Sequence, residues 1–186
     1  LYNMNNKLII GFIALCLIIG LFFINLNSQK NYTSTSSQMI TAKKDDIKKI
    51  LIQSGSDAIE LMRKDSSWVI TGIDTLVIKE RSISNFFDNF LSLETQTLMT
   101  QKQEKWSTYS VDDSTGTHVA LVNWNDETVG YFVLGRSNSD YSRCYVRSNE
   151  SSNVYLASQN VMYHLQTRPE YWGEKPQEIL PENITE

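Results

Sequence analysis

The sequence predicts a single α+β domain, antiparallel strands packed with two helices, preceded by one N-terminal transmembrane helix. Three observations predict it. An uncharged apolar run occupies the start of the chain. Short segments of alternating polarity then follow one another across tight polar turns, as half-buried strands do. Two stretches break that rhythm with apolar residues at helical spacing.

The apolar run spans residues 8–24, and Leu26 extends it past Asn25. At about 1.5 Å of rise per residue it reaches the lower limit for crossing a bilayer. A cleaved signal peptide would show a shorter apolar stretch and a small-x-small site. Here the run ends in Phe22-Phe23-Ile24-Asn25-Leu26. A lipoprotein signal would need a small residue before Cys16, where Leu15 stands, so an uncleaved anchor over residues 8–26 is the preferred reading. Met4 is an expected start residue. Lys7 on the short side puts residues 1–7 in the cytoplasm and the rest of the chain outside it. The expectation is therefore a single-pass protein of the cell inner (plasma) membrane. Residues 27–40 follow as a Ser-, Thr- and Asn-rich flexible linker, then an extracytoplasmic domain over 41–172 and a loose tail over 173–186.

The 186-residue chain carries a net charge of −4 and has no basic block. That argues against a nucleic-acid partner and against docking on anionic lipid by charge. Its two cysteines, Cys16 in the apolar run and Cys144 in an expected strand, cannot form a disulfide framework. Cys144 reads as a small strand residue.

Residues 47–53, 58–63 and 68–70 read as three strands joined by the turn clusters Ser54-Gly55-Ser56-Asp57 and Asp65-Ser66-Ser67. Ile83, Phe86, Phe87, Phe90 and Leu91 then mark the clearest helix, with Ser82 as the expected N-cap. Residues 95–100 read as a strand. The stretch from Trp106 to Val119 joins the two halves through an aromatic pair and a polar turn. Residues 117–124 and 128–134 form a hairpin, 143–147 and 153–156 two further strands. Ser158 is expected to cap a short second helix through Gln166, with Val161, Met162 and Leu165 as its apolar face.

The pattern Trp106-x-x-Tyr109-x-Val111-x-Asp113-Ser114-x-Gly116-Thr117 carries a resemblance. Lys64-x-x-x-Trp68-Val69-Ile70, Leu134-Gly135-Arg136, Tyr145-Val146-Arg147, Val154-Tyr155 and Pro169-Glu170-Tyr171-Trp172 keep the same order. Together they resemble the domain-of-unknown-function 4340 family, over roughly residues 47–172. The resemblance implies a bacterial envelope protein with one N-terminal membrane helix. Related segments occur in the auxiliary component of gliding-motility-type ABC transporters.

Function is less legible. Two histidines and two scattered cysteines give no metal spacing, no Gly-rich phosphate loop is present, and no cofactor is expected. Asp112, Asp113, Ser114 and His118 suggest a hydrolase, the least favoured reading, because triad members normally converge from separate elements. Asp113-Ser114-x-Gly116 reads as turn chemistry. The expectation is a non-catalytic interaction module with a protein partner in the envelope, transporter subunits foremost, or alternatively a cell-wall or glycan-binding module. Its candidate binding residues are Trp106, Tyr109, Asp113, Arg136, Arg143, Tyr145, Arg147, Tyr171 and Trp172.

Overall fold

The computed structural model describes residues 37–148 and 151–176. The expected anchor at 8–26, most of the linker and the tail from 177 lie outside the described residues. Among the described residues no helix is long and apolar enough to cross a membrane.

Nine strands form one antiparallel sheet: β1 (Ser37–Gln38), β2 (Ile47–Ser54), β3 (Asp57–Lys64), β4 (Ser67–Ile70), β6 (Glu94–Thr100), β7 (Thr117–Asn123), β8 (Thr128–Arg136), β9 (Cys144–Ser148) and β10 (Val154–Ala157). Their spatial order is β1-β6-β10-β9-β8-β7-β2-β3-β4, while β5 (Val77–Ile78) pairs with β11 (Gly173–Glu174) in a separate ribbon. The described part is thus an α+β domain built mostly of antiparallel sheet. Turn chemistry sets the hairpins. Gly55 and Asp65 each open a two-residue loop at positive φ, and Asp126 also takes positive φ within the longer β7–β8 loop.

Alternation along the strands splits the sheet into two faces. One carries Ile50, Ile52, Leu61, Val119, Leu121, Phe132 and Leu134, all buried. Helix α1 (Glu80–Phe90) packs there through Ile83, Phe86, Phe87 and Phe90. Phe86 stacks on Phe90 at 5.0 Å between ring centroids, and Phe90 meets Phe132 edge-on at 5.8 Å. The other face carries Val133, Tyr145, Val154 and Leu156, closed over by Val111, Trp106 and Tyr109 from the β6–β7 connection, which contains a 3-10 helix at Gln103–Tyr109.

Two helix expectations need correction. Lys79, not Ser82, precedes α1, and no side chain caps the helix. The Ser82 hydroxyl donates instead to the Tyr171 carbonyl at 2.9 Å. Residues 170–172 meet the helix start: the Lys79 amide donates to the Trp172 carbonyl at 2.8 Å and its ammonium to the Glu170 carbonyl at 2.6 Å. A carboxyl-terminal segment thus fixes the residue that precedes the helix. The second helix is not at 158–166. Only a 3-10 turn at Met162–His164 forms there, and a one-turn helix, α2 (Pro169–Trp172), follows. Asn160 accounts for this, since its side-chain oxygen accepts the Met162 amide and its amide group donates to the Tyr141 carbonyl. Proline at the first position of α2 suits a helix start. Past Trp172 the chain continues in β11 rather than leaving the fold.

Candidate functional site

Arg147, on β9, is 2% exposed. Its guanidinium lies 3.8 Å from the Trp106 ring centroid, its Nε donates to the Val111 carbonyl at 2.6 Å, and its NH2 group donates to Asp113 at 2.8 Å. Tyr109 meets Tyr145 edge-on at 4.9 Å, and the Trp106 indole donates to the Ser152 carbonyl. Five of the expected binding residues, Trp106, Tyr109, Asp113, Tyr145 and Arg147, are therefore brought into one cluster. It is a clamp that pins the β6–β7 connection to the sheet, and its donors are occupied by the protein itself. A buried cation needs partners, and these residues supply them.

The other expected residues lie elsewhere. Arg143 pairs with Asp140 and donates to Gln96. Ser142 and Arg143 bonding to its oxygens hold the Asp140 carboxyl below the usual carboxylate range. Trp172 is fully buried beside Phe86, and its indole donates to the Gln166 carbonyl. Tyr171 packs against Tyr163, its hydroxyl 3.1 Å from His164 Nδ1. Burial lowers the His164 pKa. The three arginines close in sequence thus have three different surroundings.

Arg136 is the one that faces solvent. It ends β8, and its side chain has no ion-pair or hydrogen-bond partner among the described residues. It stands where two cavities meet beyond the end of the sheet. One, of about 340 Å³, is lined by Ser54, Ser110, Thr115 and Thr167 among others. The other, of about 390 Å³, is lined by Asn138, Tyr141, Asn160 and Tyr163. Arg136, Asn138, Met162 and Gln166 line both, so they form one groove. Each part falls within the volume of small-molecule sites, about 300–1,000 Å³. Tyr141 is 81% exposed and Tyr163 71% exposed. The Asn160 bond to the Tyr141 carbonyl ties their loops together. Burial of Val161 and Leu165 turns Tyr163 outward, a signal already present in the apolar stripe of the expected second helix. Asn138, Asn160 and Gln166 carried no signal, because their roles depend on loops meeting in space.

Backbone geometry fixes the groove's floor. A Cβ on Gly135 would lie 2.0 Å from the Tyr109 carbonyl oxygen and 2.6 Å from that of Ser110, so only glycine lets the connection approach β8 here. Asp112 accepts hydrogen bonds from the hydroxyls and amides of Ser114 and Thr115. The two hydroxyl bonds above all hold its carboxyl well below the usual carboxylate range.

Ser114 and His118 do not form a nucleophile–base pair. The Ser114 hydroxyl donates to Asp112, and His118 Nδ1 meets the Tyr131 hydroxyl at 2.7 Å. His118 lies instead on the sheet face away from α1, beside Leu51, Ala58, Ala120 and Tyr131, around an apolar cavity of about 370 Å³. Burial pushes the Cys144 thiol up to about 11, so it is a poor nucleophile at neutral pH. Among the described residues no group of three or more His, Cys, Asp or Glu side chains is placed to hold a metal ion.

Compared with known protein families, residues 68–185 match the domain of unknown function DUF4340, over more than half of the chain. The chain belongs to that family. The DUF4340 match begins at Trp68, in β4, and so leaves out β2 and β3, although β2 lies between β7 and β3 in the same sheet. Arg136, Tyr141 and Tyr163 all fall inside the DUF4340 match. No curated protein and no solved structure gives a significant match to the chain.

Proposed function

We propose that this DUF4340 protein is a non-catalytic interaction module of the cell envelope. Residues 8–26 anchor it in the plasma membrane, and its domain stands outside the cytoplasm and recognises its partner through the groove at the end of β8. The observation that carries this reading is Arg136, an exposed cation whose side chain has no partner among the described residues and which lines the same cavity as two exposed tyrosines. Arginine and tyrosine are the side chains most often found at the energetic centre of interfaces. The separate engagement of Ser114 and His118 supports the non-catalytic part.

A protein partner within a membrane assembly, such as a transporter to which this chain is an accessory, is a second reading. It is favoured by the open apolar sheet face around Leu51, Ala58, Ala120 and Tyr131.

The test is purification of the full-length protein from its own membranes in mild detergent, beside a variant carrying Arg136→Gln, Tyr141→Ala and Tyr163→Ala. Material that co-purifies in stoichiometric amount with the wild type and is lost from the variant is the expected result. Equal recovery by both overturns the groove as the recognition site. Transporter subunits lost only when Leu51→Glu is introduced would move the function to the apolar face. For the anchor, deletion of residues 8–26 is expected to release the chain from the membrane fraction, and retention there overturns it.

A further inference from the structure

We infer that the groove takes an acidic glycan, a saccharide chain bearing a carboxylate that Arg136 receives. The inference rests on the groove being the recognition site. Arg136 stands in a groove lined largely by serine, threonine, asparagine and glutamine residues, and none of its guanidinium donors is used by the described residues. A planar guanidinium presents paired N–H donors that match a carboxylate bidentately. The groove also offers two tyrosine rings, Tyr141 and Tyr163, 81% and 71% exposed. An aromatic ring accepts the apolar C–H face of a pyranose, whose hydroxyls stay available to amides such as those of Asn138 and Gln166.

An extended peptide is less well served. Peptides usually bind by adding a strand to an open sheet edge or by seating apolar side chains in pockets. At the groove the edge of β8 left free is short: Leu134 pairs with Thr117 on one side and Val146 on the other, and only Gly135 and Arg136, paired with Tyr145 and Cys144, lack a partner on the β7 side. The side chains beside Arg136 are polar or tyrosine, apart from Met162 and two leucines. A small inorganic anion would leave the two tyrosines without a role, whereas a saccharide chain engages both parts of the groove.

Isothermal titration of the full-length chain tests this, in a polyoxyethylene detergent that carries no sugar. The acidic probes are tetragalacturonic acid and a tetrasaccharide alternating N-acetylglucosamine with N-acetylmuramic acid. The neutral probe is tetra-N-acetylglucosamine. The expected result is an acidic probe bound roughly ten- to hundredfold more tightly than the neutral one, the range of a charged hydrogen-bonded pair. Arg136→Gln is expected to erase that preference, Arg136→Lys to keep part of it, and Tyr141→Ala or Tyr163→Ala to weaken all probes alike. Lys102→Gln, an exposed change outside the groove, is expected to alter nothing. Equal loss with Lys102→Gln shows diffuse charge attraction and overturns the inference. Equal binding of acidic and neutral probes overturns the carboxylate. Binding of none of them, while Arg136→Gln still loses the co-purifying partner, overturns the glycan and leaves the interaction module standing.

Discussion

Single residues decide how the β6–β7 connection is held. Gly135→Ala sets a Cβ against two backbone carbonyls, and backbone cannot step aside as a flexible side chain does. The variant is expected to lose about 1–3 kcal/mol in urea unfolding. The Arg147–Asp113 pair is asymmetric, 2% against 86% exposed. Arg147→Gln strips the Val111 carbonyl and the Trp106 ring of their partner, and a loss of about 2–4 kcal/mol is expected. Asp113→Ala removes an exposed carboxylate, and a change of about 0–1 kcal/mol is expected in the same assay. Equal losses in the two would show that the pair, rather than the clamp, holds the segment. Asp112 gives a pH prediction. Its folded pKa is lowered, so its stabilisation is present above the unfolded carboxylate value, about 3.9. It is lost as pH falls below that value through the folded pKa. Asp112→Asn is expected to flatten the acid limb of stability below about pH 4, read as the midpoint of acid unfolding by circular dichroism. The Trp106-to-Gly116 pattern was legible as an aromatic pair and a turn. Its anchor, Arg147, was legible only as one of three nearby arginines, because spacing does not say which face of a strand is roofed.

At the scale of elements, α1 was readable from its stripe, since periodicity is local and the buried face is the apolar one. The start of the helix was not. Ser82 has the right chemistry for a cap, yet the helix begins two residues earlier, where the chain's carboxyl-terminal segment supplies carbonyl partners. This separates two variants. Phe86→Ala removes a fully buried ring that stacks on Phe90 and meets Trp172 edge-on, and a loss of about 3–5 kcal/mol is expected. Ser82→Ala removes one hydrogen bond to Tyr171, and about 0.5–1.5 kcal/mol is expected, with helix content by circular dichroism unchanged. Fraying of α1 in Ser82→Ala would return that serine to the capping role. The expected helix at 158–166 failed for a similar reason. Its apolar stripe is real and buried, but Asn160 spends its hydrogen bonds fastening a neighbouring loop, and the segment settles into a single turn.

For the whole molecule, closure depends on residues 170–174 returning to the start of α1. Trp172 fills the core beside Phe86, and β11 pairs with β5 just ahead of α1. Trp172→Ala is therefore expected to destabilise the entire domain by about 3–5 kcal/mol, seen as one cooperative shift in thermal unfolding rather than local loss at the carboxyl terminus. Because Trp172 and Phe86 touch, the double variant is expected to lose less than the sum of the two. The α+β class, the antiparallel strands, the main helix and the positions of the tight turns follow from the order of residues alone. Alternation, helical spacing and turn residues act within a few residues of one another, so they can be read along the chain. The sheet order, the covering of the second face and the exposure of Arg136 arise only when the strands assemble. The order β1-β6-β10-β9-β8-β7-β2-β3-β4 brings Ser54, Ser110, Arg136 and Gln166 to one groove. These residues are far apart in sequence, and what joins them is the burial of apolar faces, a property of the assembled sheet that no local spacing records.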